Sequence, residues 1–216
     1  MTTCALVAAS DFNADHFKAL NDAGGFDYIV AVDAGFAYLE KLGVKPDLAI
    51  GDFDSLGYVP KARRVSKHPQ HKDQSDLELA LERLSTRRYS HVHVYGALGG
   101  RLDHTLANLQ LFALYAEQGF DITAIDMDCA LRVLVGPDAF DLPPFKSGTV
   151  SVFSATDVSH GVSERGLEYP LDDADLTNRT SLGLSNELIG QEAAVSVAEG
   201  TLYVFYPLAD SAAVSE

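Results

Sequence analysis

Basic residues are scarce in this chain. Sixteen Lys and Arg stand against 31 Asp and Glu in 216 residues, giving a net charge of -15 and a pI near 4.7. That balance argues against nucleic acid or an anionic membrane surface as a partner. It would welcome a cation, whereas an anionic substrate would need local help from a metal ion or an arginine. Cysteine is rarer still: Cys4 and Cys129 lie far apart, without the spacing of a zinc site or a C-x-x-C pair, and both read as small buried hydrophobes. Long apolar runs are missing, so nothing spans a bilayer. The run Cys4 to Ala9 is too short for a signal h-region and has no basic flank, and a cytoplasmic protein is expected. Neither G-x-x-x-x-G-K-[ST] nor G-x-G-x-x-G occurs, so neither a P-loop nor a dinucleotide fingerprint is present. What remains is an ordinary globular composition, 47% hydrophobic with mean hydropathy +0.02, long enough for one large domain or two small ones.

Hydrophobic periodicity predicts strands at Cys4 to Ala9, Tyr28 to Val32, Leu48 to Ile50, His91 to Tyr95, Ile122 to Ile125 and Leu131 to Val135, with an extended piece at Val65 to His68. Helices are predicted at Asp15 to Ala23, Phe36 to Leu42, Val59 to Arg64, Ser75 to Leu84 and Leu102 to Gln118, with Ser75 and Glu78 as a capping box. Alternating strands and helices imply a mostly parallel, Rossmann-like α/β sandwich over residues 1–136. From Gly136 the pattern changes to short β-type runs, Thr149 to Phe153, Ala193 to Val197 and Thr201 to Tyr206, which predict a small all-β sandwich over 137–216. So slight a sandwich is expected to pack on something.

In an open parallel sheet, ligands bind beyond the carboxyl ends of the strands. Three polar clusters fall at such ends. Asp52 and Asp54 follow an apolar strand that breaks at Gly51, and with Phe53 pointing elsewhere the two carboxylates can converge on a hard cation. Lys72, Asp73 and Asp76 follow the next extended piece; Arg101, Asp103, His104 and Asn108 follow the strand ending at Tyr95. Each has a plainer reading: Asp and Ser make turns, Asp73 and Asp76 also suit a helix N-terminus, and His104 also fits a surface position. Five acids at successive strand ends are harder to explain as caps. The turn Gly96 to Gly100 lets backbone amides approach a phosphate, with Arg101 able to grip it in two places. Acids for a metal beside such a turn point to phosphoryl transfer. The same residues would also serve a metal-dependent phosphohydrolase, or a binding-only sensor.

Val32 to Gly35, Pro46 to Leu56, Lys72 to Glu78, Gly96 to Leu109, Gly166 to Leu171 and Ser185 to Glu187 together resemble the thiamine pyrophosphokinase family, in order and through nearly the whole chain. The resemblance implies an N-terminal ATP-binding catalytic domain, a C-terminal thiamine-binding and dimerisation domain, and a homodimer with active sites between subunits. The implied reaction passes the terminal diphosphate of ATP, with Mg2+, to the hydroxyl of thiamine. It implies Asp52, Asp54 and Asp76 as metal ligands, with Asp33 and Asp73 lining the same pocket. Arg101 would meet phosphate, helped by Lys72 and the turn at Gly99 and Gly100, with Asn108 also on the nucleotide. Asp103 would lie near the reacting hydroxyl, and Ser185 and Asn186 would reach the substrate from the second domain. The sequence departs from the family in having Asp33-Ala34-Gly35 for a two-glycine version and in lacking Trp, which leaves the aromatic wall for thiamine to an unnamed Tyr or Phe.

Overall fold

The computed structural model describes residues 2–69, 73–86, 89 and 91–208. The chain divides into two compact units, Met1–Leu111 with Gly119–Met127, and Phe112–Gln118 with Asp128–Glu216.

The first unit contains β1 (Thr3–Val7), α1 (Ala14–Asp22), β2 (Tyr28–Val32), a 3-10 turn (Asp33–Gly35) leading into α2 (Phe36–Lys41), β3 (Leu48–Gly51), β4 (Val65–Lys67), α3 (Asp76–Ser85), β5 (His91–Tyr95), the greater part of α4 (Leu102–Glu117) and β6 (Asp121–Ile125). Its strands are all parallel, in the order β6-β5-β1-β2-β3-β4. β2 and β3 are buried at every residue, as expected of strands covered on both faces. The covering comes from amphipathic helices such as α3, which buries Leu77, Ala80, Leu81 and Leu84. Ser75 caps it by accepting from the Glu78 amide at 3.1 Å.

Strand order matters more than strand content here. From β1 the chain adds β2, β3 and β4 on one side, then returns to place β5 and β6 on the other. The loops after β1 and β5 therefore diverge and leave a crevice at the carboxyl end of the sheet.

Besides the end of α4, the second unit holds β7 (Cys129–Val135), β8 (Asp138–Asp141), β9 (Gly148–Ser154), β10 (Val158–Arg165), β11 (Leu171–Thr177), β12 (Asn186–Leu188), β13 (Ala194–Val197) and β14 (Thr201–Pro207). Antiparallel pairing gives one layer ordered β12-β9-β14-β7 and another ordered β11-β10-β13-β8. The core gathers Leu134, Val150, Val152, Val162, Leu176, Val195, Val197, Leu202 and Val204. This is the small β-sandwich that followed from the loss of helical periodicity after Gly136.

Three details differ from expectation. Val59 to Arg64 is not helical: Pro60 supplies no amide and disfavours α geometry at Val59. β7 is not a further parallel strand: it pairs antiparallel with β14, and the three-residue link after β6 could not hold a parallel crossover. β8, β10, β11 and β12 escaped notice because their polar sequences, such as Leu-Asp-Asp-Ala-Asp-Leu-Thr in β11, lack the apolar alternation that marks a strand. Cys4 is buried as expected, and Cys129 is half-buried. Among the described residues no helix is long and apolar enough to cross a membrane.

Candidate active site

The crevice is a cleft of about 450 Å³ lined by the loop after β1, the end of β2, the start of α3, and the turn between β5 and α4. Two backbone bonds tie its sides together, Ala8 N to Tyr95 O and Ser10 N to Gly96 O, both 2.8 Å. Gly96 makes that approach possible. It lies at φ 64°, and a Cβ there would sit 2.4 Å from the Ala8 carbonyl oxygen.

Asp33, at the end of β2, Asp52, just after β3, and Asp76, opening α3, bring carboxylate oxygens within 4.8 Å of one another. All three are half-buried, and Asp33 Oδ1 is buried without a hydrogen-bond partner. A buried carboxylate oxygen left unpaired is costly, so the arrangement calls for a cation or donor. Three carboxylates form an oxygen-only set that fits a hard divalent metal.

The grouping differs from the expected trio. Asp33 stands in it, whereas Asp54 is exposed and contributes its backbone amide, which donates to Asp52 Oδ1 at 3.0 Å. Phe53 explains the divergence: it is buried at φ 62°, turning the chain so that residues 52 and 54 face differently. Asp73 is exposed and does not line the cleft; Lys72 lies outside the described residues.

On the opposite wall, Asn108 Nδ2 donates to the Ala97 carbonyl at 2.7 Å and Thr105 Oγ1 to that of Gly99 at 3.1 Å, so α4 holds the glycine turn in shape. Gly99, Gly100, Arg101, His104 and Asn108 all line the cleft. Arg101 is engaged by Asp103 in a two-pronged pair, Nε to Oδ1 at 3.1 Å and Nη2 to Oδ2 at 2.6 Å. The guanidinium's hydrogen bonds hold the Asp103 carboxyl down to about 2, and Arg101 is raised in turn.

Ser185 and Asn186 lie in the second unit, around a separate pocket of about 470 Å³ that Glu164, Glu168, Tyr169, Pro170, Leu171, Leu182 and Leu184 complete. Ser185 adopts φ 59°, uncommon for a non-glycine residue, with its amide bonded to Ser151 Oγ at 3.0 Å. Asn186 is a buried hub. Its Nδ2 donates to Glu164 Oε2 and to the Tyr169 carbonyl, each at 2.7 Å, and its Oδ1 accepts from the Tyr169 amide at 3.0 Å. Tyr169 is thereby clamped through its backbone, and as a residue it stays 63% exposed at the pocket. Neither Tyr169 nor Glu164 was singled out from sequence, although the Gly166 to Leu171 stretch was noted.

Residues 23–124 match the model of the thiamin pyrophosphokinase catalytic domain, and residues 140–202 that of the thiamin pyrophosphokinase vitamin B1 binding domain. The chain belongs to the thiamine pyrophosphokinase family. It is accordingly a transferase. A Bacillus subtilis thiamine pyrophosphokinase is 30% identical over 181 residues, covering 80% of this chain and 84% of that protein. The crystal structure of the thiamine pyrophosphokinase from B. subtilis superposes with TM-score 0.80 at 26% identity, over 95% of this chain and 99% of that one. That of the Geobacillus thermodenitrificans protein gives 0.79 at 27%, over 97% and 99%. The Candida albicans thiamin pyrophosphokinase retains the fold at 13% identity, with TM-score 0.77 over 96% of this chain and 89% of that one.

Proposed function

We propose that this chain transfers the diphosphate of ATP to the hydroxyl of thiamine, giving thiamine diphosphate and AMP, with Asp33, Asp52 and Asp76 holding Mg2+. The observation that carries the reading is the convergence of those three carboxylates, one with an unpaired buried oxygen, where Asp33 and Asp76 line the cleft that also holds the glycine turn and Arg101. ATP is strongly anionic and the protein carries a net charge of -15, so its phosphates need local neutralisation. The metal, Arg101 and Lys72 supply it, and the amides of Gly99 and Gly100 add donors. Asp103, held ionised beside Arg101, stands ready to orient the acceptor hydroxyl. Asp54 fixes Asp52, and Asp73 adds negative charge ahead of α3.

Thiamine carries a permanent positive charge, which suits an acidic protein. Its place is the second unit's pocket, where the exposed residue Tyr169 offers an aromatic wall beside Ser185 and Asn186. A homodimer with active sites between subunits completes the proposal, along with a cytoplasmic location. Support for dimerisation comes from large apolar side chains left exposed, Leu182, Leu184 and Ile189 in the second unit and Leu102 and Leu106 on α4.

The phosphorus that is attacked decides the reaction. With ATP labelled at the β-phosphorus, label is expected in thiamine diphosphate, with unlabelled AMP formed in equal amount. Labelled ADP with thiamine monophosphate would refute the proposal, and so would phosphate release that ignores thiamine.

A further inference from the structure

Glu164 occupies a position that the sandwich would ordinarily give to a hydrophobe. It follows the core residue Val162 by two on β10, past a register shift, and pairs with the core residue Val195 on β13. Its solvent exposure is 0%. Oε2 accepts from Asn186, but Oε1 is buried without a partner. On one side that oxygen faces Gly183, where a built Cβ would lie 3.2 Å away. On the other the residue lines the Tyr169 pocket. A buried carboxylate left half-satisfied is unfavourable by itself, and becomes favourable when positive charge arrives nearby.

We infer that Glu164 is a specificity-determining residue of this pocket, the buried counter-charge that selects a cationic heterocycle seated against Tyr169. The inference rests on the functional reading above, under which that cation is the thiazolium-bearing thiamine. It assigns recognition of charge to a group beneath the pocket surface, while the aromatic face and Ser185 recognise shape.

The electrostatic surroundings single out Glu164. The titratable groups on the elements packed about it are His160 and Arg165 on β10 itself, Glu168 and Tyr169 in the following loop, Asp172, Asp173 and Asp175 on β11, Glu187 on β12 and Glu192 ahead of β13; all are exposed, and His160 is paired with Asp175. β9 contributes no titratable side chain, and β14 only tyrosines. Exposed charges are screened by water and salt, so the buried one dominates inside the pocket. Burial pushes the Glu164 carboxyl up to about 7, against the opposing effect of the Asn186 hydrogen bond. A bound cation favours the ionised form, so binding near neutral pH must release a proton.

Calorimetric titration of the full chain with thiamine, in two buffers of different ionisation enthalpy, tests this. Unmodified protein is expected to release about half a proton per site near pH 7 and to bind up to about tenfold more tightly at pH 8 than at pH 6. Glu164→Gln keeps an acceptor for Asn186; it should lose the proton release and weaken thiamine binding about tenfold at pH 8. Affinity for an uncharged aminopyrimidine alcohol should be unchanged in the variant. Thiamine turnover by the unmodified chain without proton release on binding would overturn the role of Glu164 and leave the functional proposal standing. Absence of both binding and turnover would remove both. If Glu164→Gln does not fold, the proton release of the unmodified chain decides alone.

Discussion

Gly51 packs directly on Asp33: a Cβ at residue 51 would lie 3.0 Å from the Asp33 Cα and 3.2 Å from its amide nitrogen. The missing side chain lets the end of β3 come close enough to the end of β2 for Asp52 to join Asp33. Gly51→Ala must therefore spread the acids apart. Turnover is expected to fall at least about tenfold with the fold retained, measured by steady-state rates across magnesium concentrations beside a circular dichroism spectrum.

The carboxylates themselves should rank by their place in the cluster. Asp33→Asn and Asp52→Asn each remove a charged ligand without changing shape, and about a hundredfold or greater loss of kcat is expected. Asp54→Asn keeps the amide that holds Asp52, so a loss nearer tenfold or less is expected. Equal losses at 33 and 54 would show that both acids reach the metal in the working enzyme.

Arg101 has to exchange partners. In this structure its fork is occupied by Asp103, and an incoming phosphate competes for the same donors. The pair is exposed and screened by water, so it holds the guanidinium only weakly against a phosphate. Asp103→Asn should therefore tighten ATP binding by a few-fold while lowering kcat, because the acceptor hydroxyl loses its charged neighbour. A parallel fall in both would contradict the competition.

Glu164 makes stability depend on pH in the direction opposite to a salt-bridged acid. The unfolded chain gives up this proton near the ordinary 4.5, whereas the folded chain keeps it to about 7. Folding is thus favoured most below 4.5, and the advantage is lost as pH rises to 7, with about 3 kcal/mol at stake. Glu164→Gln should be nearly neutral at pH 4.5 and stabilising at pH 8. Urea midpoints at the two values give the answer, and an unchanged difference between the proteins would place Glu164 in contact with water.

Sedimentation at working concentration is expected to give a dimer. Ile189→Asp sets a charge among the exposed apolar residues of the second unit and should shift the equilibrium toward monomer. A stable monomer of the unmodified protein with full activity would end the dimer proposal.

The sequence by itself determined the first unit almost element by element. Buried parallel strands are continuous apolar runs, and Tyr28–Val32 was legible to the residue because both of its faces are covered, while His91–Tyr95 was legible from its alternation of His and Val. It also marked the strand ends where acids and glycines collect, since a ligand site needs turns and charge where the apolar pattern stops. Tertiary structure decided which acids meet. Asp33 and Asp52 are far apart in the chain and neighbours only through the β2–β3 pairing, while Asp52 and Asp54 are close in sequence and separated by the turn at Phe53. The polar strands of the second unit, and the burial of Glu164 among them, were likewise fixed by partner strands rather than local pattern. A carboxylate in an unremarkable Ser-Glu-Arg run gains its chemistry from what surrounds it, and three-dimensional packing alone supplies those surroundings.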